Sequence, residues 1–387
     1  MMRMGVGSGQ GADSAAAGRG AARQALERLG PGKPDLVLVF ASIHFDLPEA
    51  LKGIREVTGD APLLGCSTAG EIGTEGVQRN SIVAAAFALP DRKLVTAMVQ
   101  GPNPDSRAMG RDLAQQLLAA GAKGTAIVFS DGLRGNGTEL VRGIYEFLGP
   151  ACAIAGGAAG DDLRIQETYQ IFGDKVHTDS VAGVCLNGLE AGIALKHGFA
   201  PVGRPMLITK SAGNQVLEIN SKPAAQAYLE YFGLKREDFA GVPFANIPGA
   251  HDHPLGIPKL GNEFLIRHFI ADTPQGAIIC TGDMPQDHIV RIMHGTTDTL
   301  IEAAREASRQ ALAALGSKKP AAALIFNCAS RLMLFGERAQ EELDAIKSVI
   351  GPDVPMAGFY TYGEMGKFKW GQPMLHNLTL AVCLLPQ

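Results

Sequence analysis

A loop at residues 65–73, with the sequence GCSTAGEIG, carries a thiol, two hydroxyls and a carboxylate among three glycines. Its first part resembles the G-x-S-x-G turn that presents the nucleophile of many hydrolases, but Ala69 replaces the last glycine. A serine hydrolase also needs a positioned histidine and acid, and the sequence shows no motif that supplies them. Cys66 could react as a thiolate, contact a ligand or pack as a small buried residue. A thiol-dependent enzyme that uses Cys66 is therefore one alternative, although we expect ligand contact rather than catalysis.

A second loop, GFYTYGEMG at residues 358–366, shares the skeleton G-x-x-T-x-G-E-x-G with the first loop. It carries two tyrosines and a glutamate, and the preceding sequence FNCASRLML at 326–334 adds an asparagine and an arginine. These groups could bind the carboxylate and ammonium of a small zwitterion, whereas aromatic shielding of a domain interface is the alternative. The predicted ligand-binding residues are Cys66, Ser67, Thr68, Glu71, Asn327, Arg331, Tyr360, Tyr362 and Glu364.

An acid recurs after the loop glycine in three places, as Glu71, Asp161 and Glu364. A repeated acid favours a repeated structural role, such as accepting hydrogen bonds from backbone N–H groups of the turn. General acid–base catalysis would need two acids with different pKa values at one site. We therefore expect no catalytic residues, and no enzyme.

These loops belong to a repeated unit. The sequence RQALERLGPGKPDLVLVF at 23–40 matches RQALAALGSKKPAAALIF at 309–326 without a gap, and a weaker copy lies at 114–129. Each copy reads as strand, helix, buried strand, helix, strand, glycine loop and strand. In the third copy, the strand at 288–295 directly precedes the helix and should open the unit.

The pattern predicts an α/β fold of layered mixed β-sheets covered by helices, built from three copies of a β-α-β-α-β-β unit. An inserted α+β segment should occupy about 189–287. In open α/β sheets ligands bind beyond the carboxyl ends of the strands, where the glycine loops should lie. The N-terminal sequence GVGSGQGADS at 5–14 is out of register for the dinucleotide-binding motif G-x-G-x-x-G.

Composition excludes several classes of function. A net charge of −4 gives no reason to expect nucleic acid as a partner. No apolar run approaches the ~18 residues of a membrane span, and the first residues lack the apolar core of a signal peptide. The six cysteines form no C-x-x-C pair, and the short cluster HDHP at 251–254 lacks further ligands at suitable spacing. We therefore expect a cytoplasmic protein with no membrane insertion, no disulfide framework and no metal.

Several of these sequences resemble the FIST sensory proteins: LVLVFAS, GCSTAGEIG, GIALKHGFAPVGRPMLITKS, SKPAAQAYLEYFG, CASR and GFYTYGEMG. The resemblance implies a FIST N-type domain over 1–213 and a FIST C-type domain over 214–387. It also implies an intracellular sensor in bacterial signal transduction, which binds an amino acid or similar small metabolite without a cofactor. A separate protein such as a histidine kinase would receive the signal.

Some bacterial proteins of this kind bind haem to sense nitric oxide and act on histidine kinases. The resemblance therefore also implies an alternative with haem as the cofactor. His177 would be the axial ligand in that case, or His376, since both precede the last strand of a copy.

Overall fold

A computed structural model describes residues 1–89, 93–101, 105–239, 241–242, 244–247 and 252–387. Its first unit alternates strands and helices. The elements are β1 (Arg3–Gly9), α1 (Ser14–Leu29), β2 (Leu36–Ala41), α2 (Leu47–Thr58), β3 (Leu63–Ser67), β4 (Glu71–Gly73), β5 (Gly76–Gln78) and β6 (Ile82–Ala88). The carboxylates of Asp13 and Asp46 accept hydrogen bonds from first-turn N–H groups and so define where α1 and α2 begin. The turn predicted within 88–94 lies partly outside the described residues.

The second unit has the same order of elements. They are β7 (Leu94–Gln100), α3 (Ser106–Ala119), β8 (Gly124–Ser130), α4 (Gly137–Leu148), β9 (Ala153–Ala158), β10 (Gln170–Phe172), β11 (Lys175–His177) and β12 (Ser180–Asn187). Asp105 and Asn136 cap the two helices of this unit through their side-chain oxygens.

A further strand, β13 (Gly192–Lys196), is followed by a segment with many short strands. The segment contains β14 (Ala200–Ala212), β15 (Gln215–Ile219), β16 (Lys222–Pro223), α5 (Ala224–Tyr231), β17 (Leu255–Pro258), β18 (Phe264–Arg267), β19 (Phe269–Asp272), β20 (Ile278–Cys280) and β21 (Ile289–His294). The chain then continues as α6 (Thr297–Ala314), β22 (Pro320–Cys328), α7 (Ala329–Phe335), α8 (Ala339–Ile350), β23 (Met356–Thr361), β24 (Gly363–Gly366), β25 (Met374–His376) and β26 (Leu380–Pro386).

Three sheets of the described chain share one strand arrangement. Their orders are β1-β6-β2-β3-β10-β11, β7-β12-β8-β9-β24-β25 and β13-β26-β22-β23-β4-β5. In each sheet the third and fourth strands are parallel, and every other neighbouring pair is antiparallel. The last two strands of each sheet form a hairpin contributed by another unit, so the three sheets are interlocked. Helices pack on these sheets, and the predicted mixed α/β fold is confirmed.

The third of these sheets begins with β13 rather than with the strand predicted at 288–295. Ile193 of β13 pairs with Cys383 of β26. The strand at 288–295 corresponds to β21, which pairs with β14 and β17 in a fourth sheet of order β18-β17-β21-β14-β15-β20-β19. The prediction that 288–295 opens the third unit is therefore wrong. The insertion lies between β13 and α6, so it begins and ends a few residues later than the predicted range of about 189–287. Adjacency to the helix was misleading because the whole insertion separates β13 from α6.

The central core lies where the three sheets meet. Phe40, Phe129 and Phe326 come from the third strand of each sheet, and Phe359 from β23 packs among them. The ring centroids of Phe40 and Phe359 are 5.0 Å apart, and those of Phe40 and Phe129 are 5.8 Å apart. No helix in the described residues is both long and apolar enough to span a membrane.

The N-terminal glycines have a packing role in β1. A Cβ atom at Gly5, Gly7 or Gly9 would lie 2.1, 2.2 or 1.9 Å from a backbone oxygen of α1. Real Cβ atoms do not approach backbone this closely, so the absent side chains allow α1 to lie directly on the strand.

Candidate functional site

The glutamates of the two glycine loops join each loop to the strand that follows it. Glu71 Oε2 accepts hydrogen bonds from the backbone N–H and the hydroxyl of Ser81, at 3.1 and 2.6 Å, and Oε1 accepts from the Thr68 hydroxyl. Glu364 repeats the arrangement with Thr361 at 2.7 Å and the backbone N–H of Thr379 at 3.1 Å. All these side chains are buried. The geometry therefore gives Thr68, Glu71 and Glu364 structural hydrogen bonds inside the protein.

Gln170 has the same position in the second unit. Its Oε1 accepts from the backbone N–H and the hydroxyl of Ser180, at 3.2 and 2.8 Å. Asp161 instead accepts from three backbone N–H groups of its own loop, at residues 165–167. The predicted equivalence of Asp161 with Glu71 and Glu364 is therefore wrong, because the loop of the second unit is longer.

A pH-dependent stability follows from the burial of Glu71. Burial raises the pKa of Glu71 to about 7, although the hydrogen bonds from Ser81 and Thr68 oppose the shift. The unfolded chain loses this proton near pH 4.5, whereas the folded protein keeps it until about pH 7. The free energy of unfolding is therefore highest below pH 4.5 and falls as the pH rises from there to about 7.

We expect Glu71→Gln to remove this pH-dependent loss of unfolding free energy, because the amide oxygen of Gln170 accepts the same two hydrogen bonds in the second unit. Relative to the wild type, the variant should gain on the order of 2 kcal/mol of unfolding free energy between pH 5 and pH 8. Urea denaturation across this pH range measures the gain, with Glu27→Gln on the exposed face of α1 as the control. A constant difference between Glu71→Gln and wild type would contradict the assignment.

Arg331 is fully buried and uses its donors within the protein. Its guanidinium donates to Glu342 through Nε at 3.1 Å and through Nη2. It also donates to the backbone oxygens of His197, Leu378 and Leu300, at 2.7, 3.3 and 3.1 Å. The predicted contact of Arg331 with a ligand carboxylate would require one of these hydrogen bonds to break.

Two further predicted ligand residues have no exposed side chain. Asn327 donates to Glu342 at 2.7 Å, and Tyr360 packs in the apolar core of the third unit. Both therefore lie in the protein interior.

Cys66 and Ser67 are also interior residues. Cys66 belongs to the central core, and burial raises the pKa of its thiol well above the ordinary range. The Ser67 hydroxyl donates to the backbone oxygen of Gly160 at 2.6 Å and accepts from the backbone N–H of Tyr169 at 2.8 Å. A buried and protonated thiol is a poor nucleophile, so the geometry does not favour the thiol-enzyme alternative.

His177, the haem ligand of the other alternative, lies in β11 at a sheet edge. Its Nδ1 is 3.0 Å from Gln100 Oε1, and burial, with a smaller effect of Lys175, lowers its pKa. His376 is fully buried with a pKa lowered to about 3, chiefly by burial, and its Nε2 lies 3.1 Å from the backbone oxygen of Gly366. Haem ligation by either residue stays a prediction.

An open cleft of about 350 Å³ lies beyond the carboxyl ends of β8, β22 and β23. We call it the apolar cleft. It is lined by Gly132, Leu133, Leu163, Ile165, His268, Phe269, Ile270, Thr281, Cys328, Ala329, Ser330, Met333, Thr361, Tyr362 and Asn377. Among the predicted ligand-binding residues, Tyr362 lines this cleft. The other lining residues were not predicted from the sequence, although several of them directly follow buried strands, which is where ligands bind in α/β sheets.

The loop of residues 159–169 forms one rim of the apolar cleft. The Tyr362 hydroxyl donates to Asp161 and so ties this loop to the third unit. Asp162, Leu163 and Ile165 have φ values of 51°, 63° and 54°. Positive φ is strained for a β-branched residue such as Ile165, which is 61% exposed. Strain of this kind is often found at functional sites.

Comparison with known proteins accounts for most of the chain. The FIST N domain matches residues 35–222, and the FIST C domain matches residues 224–367. The protein belongs to the FIST family. The predicted resemblance is confirmed, while the domain boundary at 213 stays a prediction.

Two mycobacterial relatives of this FIST protein are named as uncharacterized proteins. An uncharacterized protein of Mycobacterium bovis is 28% identical over 244 residues, which are 61% of each chain. An uncharacterized protein of Mycobacterium tuberculosis is 25% identical over 390 residues, covering 99% of both chains. A solved cyanuric acid hydrolase from A. caulinodans covers both chains fully, at 11% identity and a TM-score of 0.36, which does not establish a shared fold.

Both FIST domains contribute to the apolar cleft. Gly132, Leu133, Leu163 and Ile165 come from the FIST N domain, and the FIST C domain supplies most of the other wall. Clefts between domains are frequent ligand-binding positions, because relative movement of the domains can open and close them.

The FIST C domain also contains a cluster of metal-ligand type. Atoms of Asp252, His253 and His294 lie within 4.8 Å of one another, and the two imidazole rings are stacked with centroids 4.4 Å apart. Sequence spacing missed His294, because β21 brings it back beside the start of β17. His251 of the predicted cluster lies outside the described residues. Two imidazoles and a carboxylate are a donor set that divalent zinc accepts.

Proposed function

We propose that this FIST protein is a cytoplasmic, non-enzymatic sensor that binds an amino acid or similar small metabolite in the apolar cleft. A separate partner such as a histidine kinase receives the signal. The observation that carries the proposal is the cleft itself, which lies between the two FIST domains and contains the predicted residue Tyr362. FIST domains are associated with the sensing of small ligands in signal transduction.

The lining of the cleft selects the kind of ligand. Leu163, Ile165, Ile270 and Met333 are large apolar side chains that are at least partly exposed to solvent there. No aspartate, glutamate, lysine or arginine lines this cleft in the described chain. An amino acid would therefore place an apolar side chain in the cleft and keep its charged groups at the open side. Hydroxyls such as those of Ser330 and Thr281 can hold one polar group of the ligand.

Ligand binding in this place can change the relation between the domains. The Tyr362–Asp161 hydrogen bond joins the rim loop of one domain to a lining residue from the other domain. A ligand that fits one arrangement of the rim loop better than another shifts the population towards that arrangement. A partner that contacts the rim would then read the occupancy of the cleft.

We expect apolar amino acids such as leucine and phenylalanine to bind, and Ser330→Phe to weaken that binding by about tenfold or more, because the added ring fills the cleft. Isothermal titration calorimetry with the twenty amino acids measures the affinities. Ser317→Phe, at an exposed turn outside the cleft, is the control that carries the same substitution. Absence of binding across the panel, or equal losses in both variants, would contradict the proposal.

A further inference from the structure

A second cleft, of about 410 Å³, lies between α4, the strands β17 and β18 and the segment 370–374. We call it the cationic cleft. Three basic side chains line it: Arg142, Lys259 and Arg267. Trp370 also lines it, is 59% exposed, and is the single tryptophan of the chain. This cleft differs from the apolar cleft in both its charge and its elements.

Arg267 is a fully buried cation whose acceptors are all neutral. Its Nη1 donates to Asn377 Oδ1 at 3.0 Å and to the backbone oxygens of Ile266 and Leu375, and its Nε donates to the backbone oxygen of Asp283. Its Nη2 is buried and has no hydrogen-bond partner within the described residues. Burial lowers the pKa of Arg267 to about 10. Smaller electrostatic contributions from Cys280, Asp283 and Glu364 oppose this shift. Neither carboxylate accepts a hydrogen bond from the guanidinium within the described residues, so the Nη2 donors are free for an anion.

Gly282 allows the backbone to approach the Arg267 guanidinium closely. A Cβ atom at Gly282 would lie 2.8 Å from Arg267 Nε and 2.9 Å from Cζ. The glycine therefore packs its backbone against the guanidinium, and any side chain there would displace it.

The other charges of the cleft leave a positive excess. Glu139 forms an ion pair with Arg142, and Asp283 accepts a hydrogen bond from the Asn136 amide at 2.9 Å. Lys259 has no ion-pair partner among the described residues, and burial, with the nearby Arg267 and Arg142, lowers its pKa. An anion between Lys259 and Arg267 would offset the repulsion and the desolvation of both groups.

We propose that the cationic cleft binds a small organic anion, a carboxylate or a phosphate monoester, attached to a planar ring. The anionic group lies between Lys259 and Arg267 Nη2. The ring lies against Trp370, whose indole packs over Gly261 and presents an exposed face to the cleft. The volume of 410 Å³ accommodates a ligand of this size.

Tryptophan fluorescence provides the test. Because Trp370 is the single tryptophan of the chain, this fluorescence reports on the cationic cleft alone. We expect benzoate or adenosine monophosphate to change this fluorescence saturably, and their neutral counterparts, benzyl alcohol and adenosine, to leave it unchanged. The anion that saturates at the lower concentration identifies the carboxylate or the phosphate as the preferred group. No saturation by either anion up to about 10 mM would overturn the proposal.

Variants distinguish specific binding in the cationic cleft from a general attraction of anions to positive charge. Lys259→Met should weaken binding by about tenfold or more, because a charged hydrogen bond is lost, and Lys259→Arg should retain it. Lys369→Met is the matched control: its amine lies 5.5 Å from the Trp370 ring centroid but does not line the cleft. Equal weakening in Lys259→Met and Lys369→Met would overturn the proposal. Lys259 is only half-buried, so its variants should fold. Arg267→Met is not suitable as a test, because it removes four hydrogen bonds of a fully buried side chain.

Discussion

Replacing Glu342 with alanine is expected to lower the free energy of unfolding by about 3–5 kcal/mol. Glu342 and Arg331 form an ion pair in which neither side chain has any exposed surface. Removal of the carboxylate leaves the guanidinium buried without a counter-charge, and it also takes an acceptor from Asn327. Urea denaturation followed by circular dichroism measures the change.

Glu341→Ala is the matched control, because Glu341 is the adjacent residue in the first turn of α8. Its ion pair with Arg338 is exposed, and such pairs contribute about 0–1 kcal/mol. Both substitutions remove one negative charge from the same helix end. The difference between their losses of unfolding free energy therefore measures the contribution of the buried pair. Similar losses in the two variants would show that Glu342 contributes no more than a surface charge.

The Arg331–Glu342 pair also explains why Arg331, which the sequence predicted to bind a ligand, has a structural role instead. Arginine followed by a loop with tyrosines is a pattern that suits a carboxylate ligand, and the sequence does not show where its partner lies. The partner is Glu342 on α8, while His197, Leu300 and Leu378 supply backbone oxygens from three other parts of the chain. Only the tertiary structure brings these groups together, and together they use every donor of the guanidinium.

The fold was largely predictable because its signals are local. Buried strands such as LVLVF, helix caps and glycines after helices mark the elements of the first two units. The exchange of hairpins among the three sheets was not predictable in this way. Pairings such as Gln170 with Cys66, or Glu71 with Phe359, join distant segments, and each depends on register rather than on composition.

The position of the candidate site was easier to predict than its residues. The rule that ligands bind beyond the carboxyl ends of strands leads to the apolar cleft and to Tyr362. The side chains of Cys66, Ser67, Thr68, Glu71 and Glu364 are buried in the interior, because the glycine loops hold hairpins of neighbouring sheets. Residues 159–169 form the rim because the loop of the second unit is longer, a difference that appears in the sequence as a gap between repeats.

Gly7→Ala is expected to lower the free energy of unfolding by about 3 kcal/mol, because it forces α1 away from β1. The added Cβ would lie 2.2 Å from the Ala21 backbone oxygen and 2.6 Å from the Ala25 nitrogen, and neither backbone atom can move alone. Gly20→Ala is the matched control on α1 itself: its Cβ meets nothing within 4 Å, and alanine favours a helix over glycine by about 1 kcal/mol. The two substitutions add the same methyl group to the same strand–helix pair and should therefore change stability in opposite directions. Urea denaturation of both variants measures this, and a loss below about 1 kcal/mol for Gly7→Ala would show that α1 can shift at little cost.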